Sequence, residues 1–217
     1  AGEAVSTVWF GTAFAPVDAL VLPDLDGNLA EEIAVLGVNA SGKTRVQIKD
    51  SLDGVNVRQL YFGWPHAVHG FTAIPDLDGN GRPEIGVLIT NQSGDRVLRV
   101  ADTATGNILN RIGFSRGYYP SAVITVPDAG DGVIAVGVMG EDAIGRKRIQ
   151  LRDARTGSNL GYQFYDRTRV AEDVVALADR GGDGAMDVGV VLRDPRGRAI
   201  LQVRDSRSSA RVVLPID

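Results

Sequence analysis

Pro75-Asp76-Leu77-Asp78-Gly79-Asn80-Gly81-Arg82-Pro83-Glu84, followed by Ile85-Gly86-Val87-Leu88-Ile89, decides the reading of this chain. Oxygen-bearing side chains stand at positions 1, 3, 5 and 9 of the loop (Asp76, Asp78, Asn80, Glu84), with glycine at positions 4 and 6. On a tightly turning backbone, alternate side chains converge on one point. A hard cation takes such an oxygen cage, and the glycine at position 6 permits the sharp turn. The run after the loop is near-continuous and rich in β-branched residues, which predicts a strand buried on both faces.

The stretch recurs. Corresponding loops open at Asp24, Asp76, Asp128 and Asp179, spaced 52, 52 and 51 residues apart. A fixed period near 50 marks a propeller or a solenoid. Each period holds an apolar run before the loop (Ala19–Leu22, Phe71–Ile74, Ala122–Val126, Val174–Leu177) and a second one after it, both read as strands buried on two faces. A third strand alternates apolar with polar, as in Arg45-Val46-Gln47-Ile48-Lys49, which predicts one wet face. An Asp-opened, Gly-containing turn such as Asp102-Thr103-Ala104-Thr105-Gly106-Asn107 leads to a fourth strand.

Four strands per period, joined by hairpin turns, favour blades over solenoid coils. The predicted class is therefore all-β: a β-propeller-type array of four-stranded blades, in four repeats over about 17–63, 67–114, 119–165 and 170–217. Ser6–Gly11 matches Arg58–Gly63, so residues 5–11 read as a leading outer strand. The count reads as a section of a longer array, with a closed four-blade ring as the other option. A section would expose blade faces and self-associate.

Bulk properties narrow the function. The chain has 217 residues, 44% hydrophobic and 23% charged, with a formal net charge of -4. That balance suits a core-forming domain and gives no basic stripe for nucleic acid. No apolar run reaches the ~18 residues of a membrane span, so no membrane insertion is expected. There is no Cys, which excludes disulfides, thiolate metal sites and cysteine nucleophiles. The chain opens Ala1-Gly2-Glu3 without Met and reads as a mature or excised segment.

The combination of Asp-x-Asp-Gly-Asn-Gly-x-x-Glu before an apolar strand with Phe10-Gly11 and Ala15-Pro16 at a repeat junction resembles the FG-GAP repeat. That family includes the VCBS-type repeats of bacterial surface proteins and the β-propeller of integrin α chains. The resemblance spans essentially the whole chain and implies that the loops bind Ca2+. Carried over position by position, the second loop is complete, with Arg82 giving a backbone carbonyl at position 7. The first offers Asp24, Asp26, Asn28, Ala30 and Glu32, but has Leu29 at position 6. The fourth offers Asp179, Asp183, Ala185 and Asp187, with Gly181 replacing the position-3 ligand and a water standing in. The third (Asp128-Ala129-Gly130-Asp131-Gly132-Val133-Ile134) is short, lacks the closing carboxylate, and is expected to hold no metal.

The alternative is that Asp and Asn here only shape turns, but turn chemistry does not need a closing acid at position 9. Magnesium fits less well because it keeps its waters. His66 and His69 lack a third ligand and read as a solvated junction rather than a transition-metal pair. Phe14, Trp64, Tyr118 and Tyr119 lie in the inter-blade junctions. Such rings can stack on sugars or anchor a protein, but plugging gaps between blades is the favoured role. The arginines of the last repeat read as a solvated face. No nucleophile elbow and no Ser/His/Asp set is present, and each Asp cluster belongs to its loop. The chain is thus expected to be a non-catalytic, calcium-binding propeller module of an extracellular or cell-surface (or periplasmic) bacterial protein. Its expected partner is a glycan or protein. The alternatives are a structural spacer, or an accessory domain of a secreted polysaccharide-active enzyme.

Overall fold

The computed structural model describes residues 7–212. The first repeat forms β1 (Ala15–Leu22), β2 (Glu32–Val38), β3 (Thr44–Asp50) and β4 (Asn56–Gly63). The second forms β5 (Ala67–Ile74), β6 (Glu84–Thr90), β7 (Arg96–Asp102) and β8 (Ile108–Phe114). The third forms β9 (Tyr119–Val126), β10 (Ala135–Glu141), β11 (Lys147–Asp153) and β12 (Asn159–Tyr165). The fourth forms β13 (Val170–Leu177), β14 (Asp187–Arg193) and β15 (Ala199–Asp205). Each repeat is its own meander sheet, with neighbours in chain order and antiparallel pairing wherever register is recorded. The fold is all-β and propeller-type.

The chain divides into two compact units. One runs to Gly94 and adds Arg99–Leu109; the other takes Asp95–Leu98 and continues from Asn110. In the second unit Ile124, Val126, Met139, Ile149 and Leu151 pack against Val174, Val188, Val190 and Leu192, so successive sheets bury their faces on each other. In the first, the Arg58 guanidinium donates to the Ala104 carbonyl and that of Arg99 to the Phe62 carbonyl. These bonds tie one blade's outer strand to the next blade's third strand and turn.

Burial departs from the sequence reading in two strands. The post-loop strands are buried on both faces as expected; every residue of β6 except Thr90 is buried. The pre-loop strands are not. In β1 only Leu22 is buried, and Val21 is 58% exposed. β1 is an edge strand with a register shift between Pro16 and Asp18, so one of its hydrogen-bonding edges is unpaired. The third strands deviate the other way. Gln47 and Gln150 on the expected wet face are buried, because their amides find partners: Gln47 Nε2 donates to Asn56 Oδ1 at 2.9 Å, and Gln150 Oε1 accepts from Ser115 N at 3.1 Å.

The expected leading strand shows no strand over residues 7–11; residues 5 and 6 lie outside the described ones. The segment still packs as an outer strand would. Phe10 lies 6.0 Å from Lys49 Nζ, as Phe114 lies 6.0 Å from the Arg152 guanidinium and Tyr165 lies 5.5 Å from that of Arg204. Of the fourth strand expected over 212–216, only Val212 is described, donating N–H to the Val203 carbonyl at 3.1 Å.

Candidate metal centre

Three loops share one construction. The position-1 aspartate accepts the backbone N–H of position 4 on Oδ1 and that of position 6 on Oδ2. The distances are 2.6 and 2.8 Å at Asp24, 2.7 and 2.7 Å at Asp76, and 2.6 and 2.8 Å at Asp179. These bonds hold the carboxyls of Asp24, Asp76 and Asp179 below the usual carboxylate range. Position 5 folds the loop tail: Asn28 Oδ1 accepts from Ala30 N at 2.7 Å, Asn80 Oδ1 from Arg82 N at 2.8 Å, and Asp183 Oδ1 from Ala185 N at 3.0 Å. The wind needs positive φ at position 6. Gly81 (φ 80) and Gly184 (φ 85) take it freely; Leu29 takes it at φ 70, as a leucine in a left-handed conformation.

The closing acid is the first residue of the post-loop strand and is fully buried in all three loops. One oxygen is used. Glu32 Oε1 accepts from Leu25 N at 2.8 Å, Glu84 Oε2 from Leu77 N at 3.0 Å, and Asp187 Oδ2 from Arg180 N at 2.8 Å. The other (Glu32 Oε2, Glu84 Oε1, Asp187 Oδ1) is buried without a hydrogen-bond partner. Burial, together with the charges of Asp76, Asp78 and Asp102, pushes Glu84 up to about 7. Burial raises Glu32 and Asp187 as well, with loop aspartates adding to the effect.

The structure brings the predicted ligands together unevenly. One oxygen each from Asp24, Asp26 and Glu32, and one each from Asp76, Asp78 and Glu84, lie within 4.8 Å of one another. Among the described residues no other three acids do; in the fourth loop Gly181 leaves position 3 without a carboxylate. In the third repeat β10 begins with Ala135 at the register of Glu32: Ala135 pairs with Val126 and Asp153, as Glu32 pairs with Leu22 and Asp50. The third loop is a tight turn instead, with Val133 N donating to the Gly130 carbonyl and Asp131 paired to Arg207 at 2.5 Å.

Sequence reasoning missed a fourth carboxylate. Asp102, read only as a turn opener, and its counterparts Asp50 and Asp205 are almost fully buried (1%, 1% and 4% exposed) beside the loops. They do open turns: Asp102 accepts from Ala104 N and Thr105 N. But Asn28 Nδ2 also donates to Asp50 Oδ2, and Asn80 Nδ2 to Asp102 Oδ1 at 3.1 Å. Asp50 sits directly across the ladder from Glu32, and Asp205 from Asp187. Like charges so placed repel. Opposite Ala135, Asp153 is partly exposed. The usable signal was periodicity: Asp50, Asp102, Asp153 and Asp205 recur at spacings of 52, 51 and 52 residues.

The junction aromatics separate into two groups. Phe14 lies 4.0 Å from the Arg45 guanidinium, and Arg148 is held between Tyr118 at 3.7 Å and Tyr162 at 4.4 Å. Both stacks line small cavities of matching composition. Phe10, Phe14, Val35, Gly37, Arg45 and Gln47 at the start of the first repeat answer to Phe114, Tyr118, Val138, Gly140, Arg148 and Gln150 at the junction of the second and third. The glycines make room, because a Cβ on Gly37 would lie 3.0 Å from Phe14 Cβ, and one on Gly140 3.1 Å from Tyr118 Cβ. In the second and fourth repeats Ile89 and Leu192 occupy that register, and Val97 and Ile200 that of the arginine. Trp64 (59% exposed) and Tyr119 (68%) form the other group: Lys43 Nζ lies 5.6 Å from the first ring and the Arg96 guanidinium 5.5 Å from the second, but most of each side chain faces solvent.

On β5, His69 Nε2 lies 2.7 Å from Thr90 Oγ1 of β6, while His66 is exposed before β5. The final-repeat arginines are largely engaged: Arg193 with Glu172, Arg198 with Asp194, Arg207 with Asp131. No helix among the described residues is long and apolar enough to cross a membrane.

No family model matches the sequence, and no curated protein does. Solved structures are similar in fold. Synechocystis apocarotenoid oxygenase, in its cobalt-substituted form, aligns with a TM-score of 0.56 at 12% identity, over 89% of this chain and 48% of the oxygenase. Rhamnogalacturonan lyase YesW aligns at 0.50 and 14%, over 91% and 50%. The WD40 domain of Toxoplasma gondii coronin aligns at 0.50 and 13%, over 82% and 41%. The chain spans about half the length, or less, of these structures. At such identities the likeness shows the fold alone, that of β-propellers.

Proposed function

We propose that this chain is a calcium-stabilised, non-catalytic propeller module of the FG-GAP/VCBS type, acting outside the cell in adhesion to a glycan or protein. The propeller fold suits a binding or scaffold module. One observation carries the calcium reading. Each fully buried closing acid keeps one oxygen unpartnered beside further buried carboxylates. Turn chemistry satisfies the position-1 aspartates, but it leaves these oxygens with nothing. Buried charge without a partner is costly, and a hard cation supplies that partner. Asp24, Asp26, Asn28 and Glu32 would hold one ion with the Ala30 carbonyl, and Asp76, Asp78, Asn80 and Glu84 a second with that of Arg82. Asp179, Asp183 and Asp187 would hold a third with that of Ala185. Calcium is favoured over magnesium because the first two cages each offer five protein oxygens and the third four. Calcium is plentiful outside cells, which supports an extracellular setting for weak sites.

The ion's role is structural: it neutralises clustered carboxylates and fixes each loop between two strands. Phe14 and Tyr118 are stacked under guanidiniums and serve packing. Trp64 and Tyr119 are left for ligand contact. Melting in EDTA and in excess calcium tests the ion, with a native mass of the same sample for ion count and self-association. A calcium-dependent rise in Tm with bound ions is expected; equal melting without ions would reduce the loops to turns. Glycan arrays with Trp64→Ala and Tyr119→Ala test the binding face, where binding that persists in both variants would exclude these rings.

A further inference from the structure

The fourth loop departs from the first two at two positions, and the departures compensate. Position 3 loses its carboxylate to Gly181, while position 5 gains one, because Asp183 stands where the others have Asn28 and Asn80. In the first two loops the asparagine amide donates to the buried turn aspartate, occupying Asp50 or Asp102. Asp183 has no amide to give, and its carboxyl lies against that of Asp205. Asp205 is 4% exposed and is the direct cross-strand partner of Asp187, whose buried Oδ1 has no partner. A Cβ built on Gly181 would lie 3.7 Å from Asp205 Oδ2 and 3.8 Å from Asp179 Oδ1. The Asp205 oxygen therefore borders the space a position-3 side chain would enter.

We propose that Asp205 is a direct ligand of the cation in the fourth loop, supplying from the β15 turn the carboxylate that Gly181 removed. Asp50 and Asp102 are positioning residues in their own repeats: they hold the asparagine amide so that its oxygen faces the ion. The inference rests on the calcium reading of the loops. It replaces the water expected at position 3 with a protein oxygen.

The test uses the full chain, calcium titration and native mass. Asp205→Asn keeps the acceptor for Ser208 N and Ser208 Oγ, so the turn stays capped. It should lose one bound calcium, or weaken one site at least about tenfold. Asp153→Asn, which alters the same turn in the repeat without a cage, should change neither count nor affinity. Gly181→Asp in the Asp205→Asn background should restore the ion. Asp183→Asn gives a second, independent arm. Its amide would bond Asp205 as in the first two loops, so the count should fall by one while melting in EDTA rises. Full calcium count and unchanged affinity in both Asp205→Asn and Asp183→Asn would overturn the role of Asp205 and leave the calcium reading standing. A wild-type chain that takes up no calcium would overturn both.

Discussion

Lowering the pH should empty the second loop before it unfolds the protein, and Glu84 sets the size of the effect. Its carboxyl is fully buried and pushed up to about 7 by burial and by the nearby Asp76, Asp78 and Asp102. Calcium needs the ionised form, so binding releases this proton. For a single group with folded pKa near 7, affinity between about pH 8 and pH 5.5 should fall about 30-fold. Asp76 adds nothing over this range, because loop amides hold it below the usual carboxylate range. The assay is calorimetric titration of the full chain carrying Asp24→Ala and Asp179→Ala, which disables the other two cages. In EDTA the sign reverses. The folded pKa lies above the unfolded one, so the protonated carboxyl's contribution is complete below about pH 4.5 and is lost as pH rises through about 7. That loss amounts to about 3 kcal/mol. Glu84→Gln should therefore stabilise the EDTA form at pH 8 and abolish most of the calcium gain. Affinity that changes less than about threefold over this range, or an equal pH dependence in Glu84→Gln, would refute the reasoning.

Asp76→Ala removes the carboxylate that accepts from Gly79, Asn80 and Gly81, and should lower calcium affinity and melting temperature together. At calcium about 100-fold over the wild-type Kd the lost stabilisation is about 2.7 kcal/mol, read by denaturant unfolding with and without the ion. Leu29→Gly relieves a left-handed leucine that is 95% exposed and buries nothing; a gain of about 0.5–1 kcal/mol in thermal melting is expected, and a loss would show that the leucine is not strained. Arg148→Ala takes the guanidinium from between Tyr118 and Tyr162 and should cost about 1–2 kcal/mol in urea unfolding. Gly140→Leu, although it copies the residue of the fourth repeat, would set a Cβ 2.9 Å from the Tyr119 carbonyl and should lower the urea midpoint, because the obstacle is backbone that cannot rotate away.

What was legible in the sequence is what periodicity carries. The spacing of Asp24, Asp76, Asp128 and Asp179 and the apolar runs beside them yield the all-β blades, because a meander sheet is a local object with short hairpins. What was not legible depends on neighbours. The exposure of β1 depends on what packs over its faces, which an apolar run such as Leu20-Val21-Leu22 does not encode; β5, equally at a sheet edge, buries Phe71 and Ile74. The burial of Gln47 and Gln150 depends on Asn56 and Ser115, contributed by other segments. A wet-face pattern cannot distinguish solvent from an amide partner.

The candidate centre shows the same division with a sharper consequence. Loop spacing identifies ligands that one strand-to-strand connection can supply, and it stops there. Asp50, Asp102 and Asp205 approach the loop from the far end of the neighbouring strand, more than twenty residues on. Only the antiparallel register brings them opposite the closing acid, as Glu32 lies opposite Asp50 and Asp187 opposite Asp205. The register also explains why the third repeat is exempt. With Ala135 at the closing position, Asp153 faces a methyl group, keeps only its turn bonds to Arg155 N and Thr156 N, and stays partly exposed. Acid at the strand start and burial of the turn aspartate therefore go together, present in three repeats and absent in one. Turn chemistry alone predicts the same buried aspartate in all four. In the third repeat the turn aspartate remains as Asp153 and only its burial is lost along with the closing acid, which supports reading the two acids as parts of one charged centre in the other three.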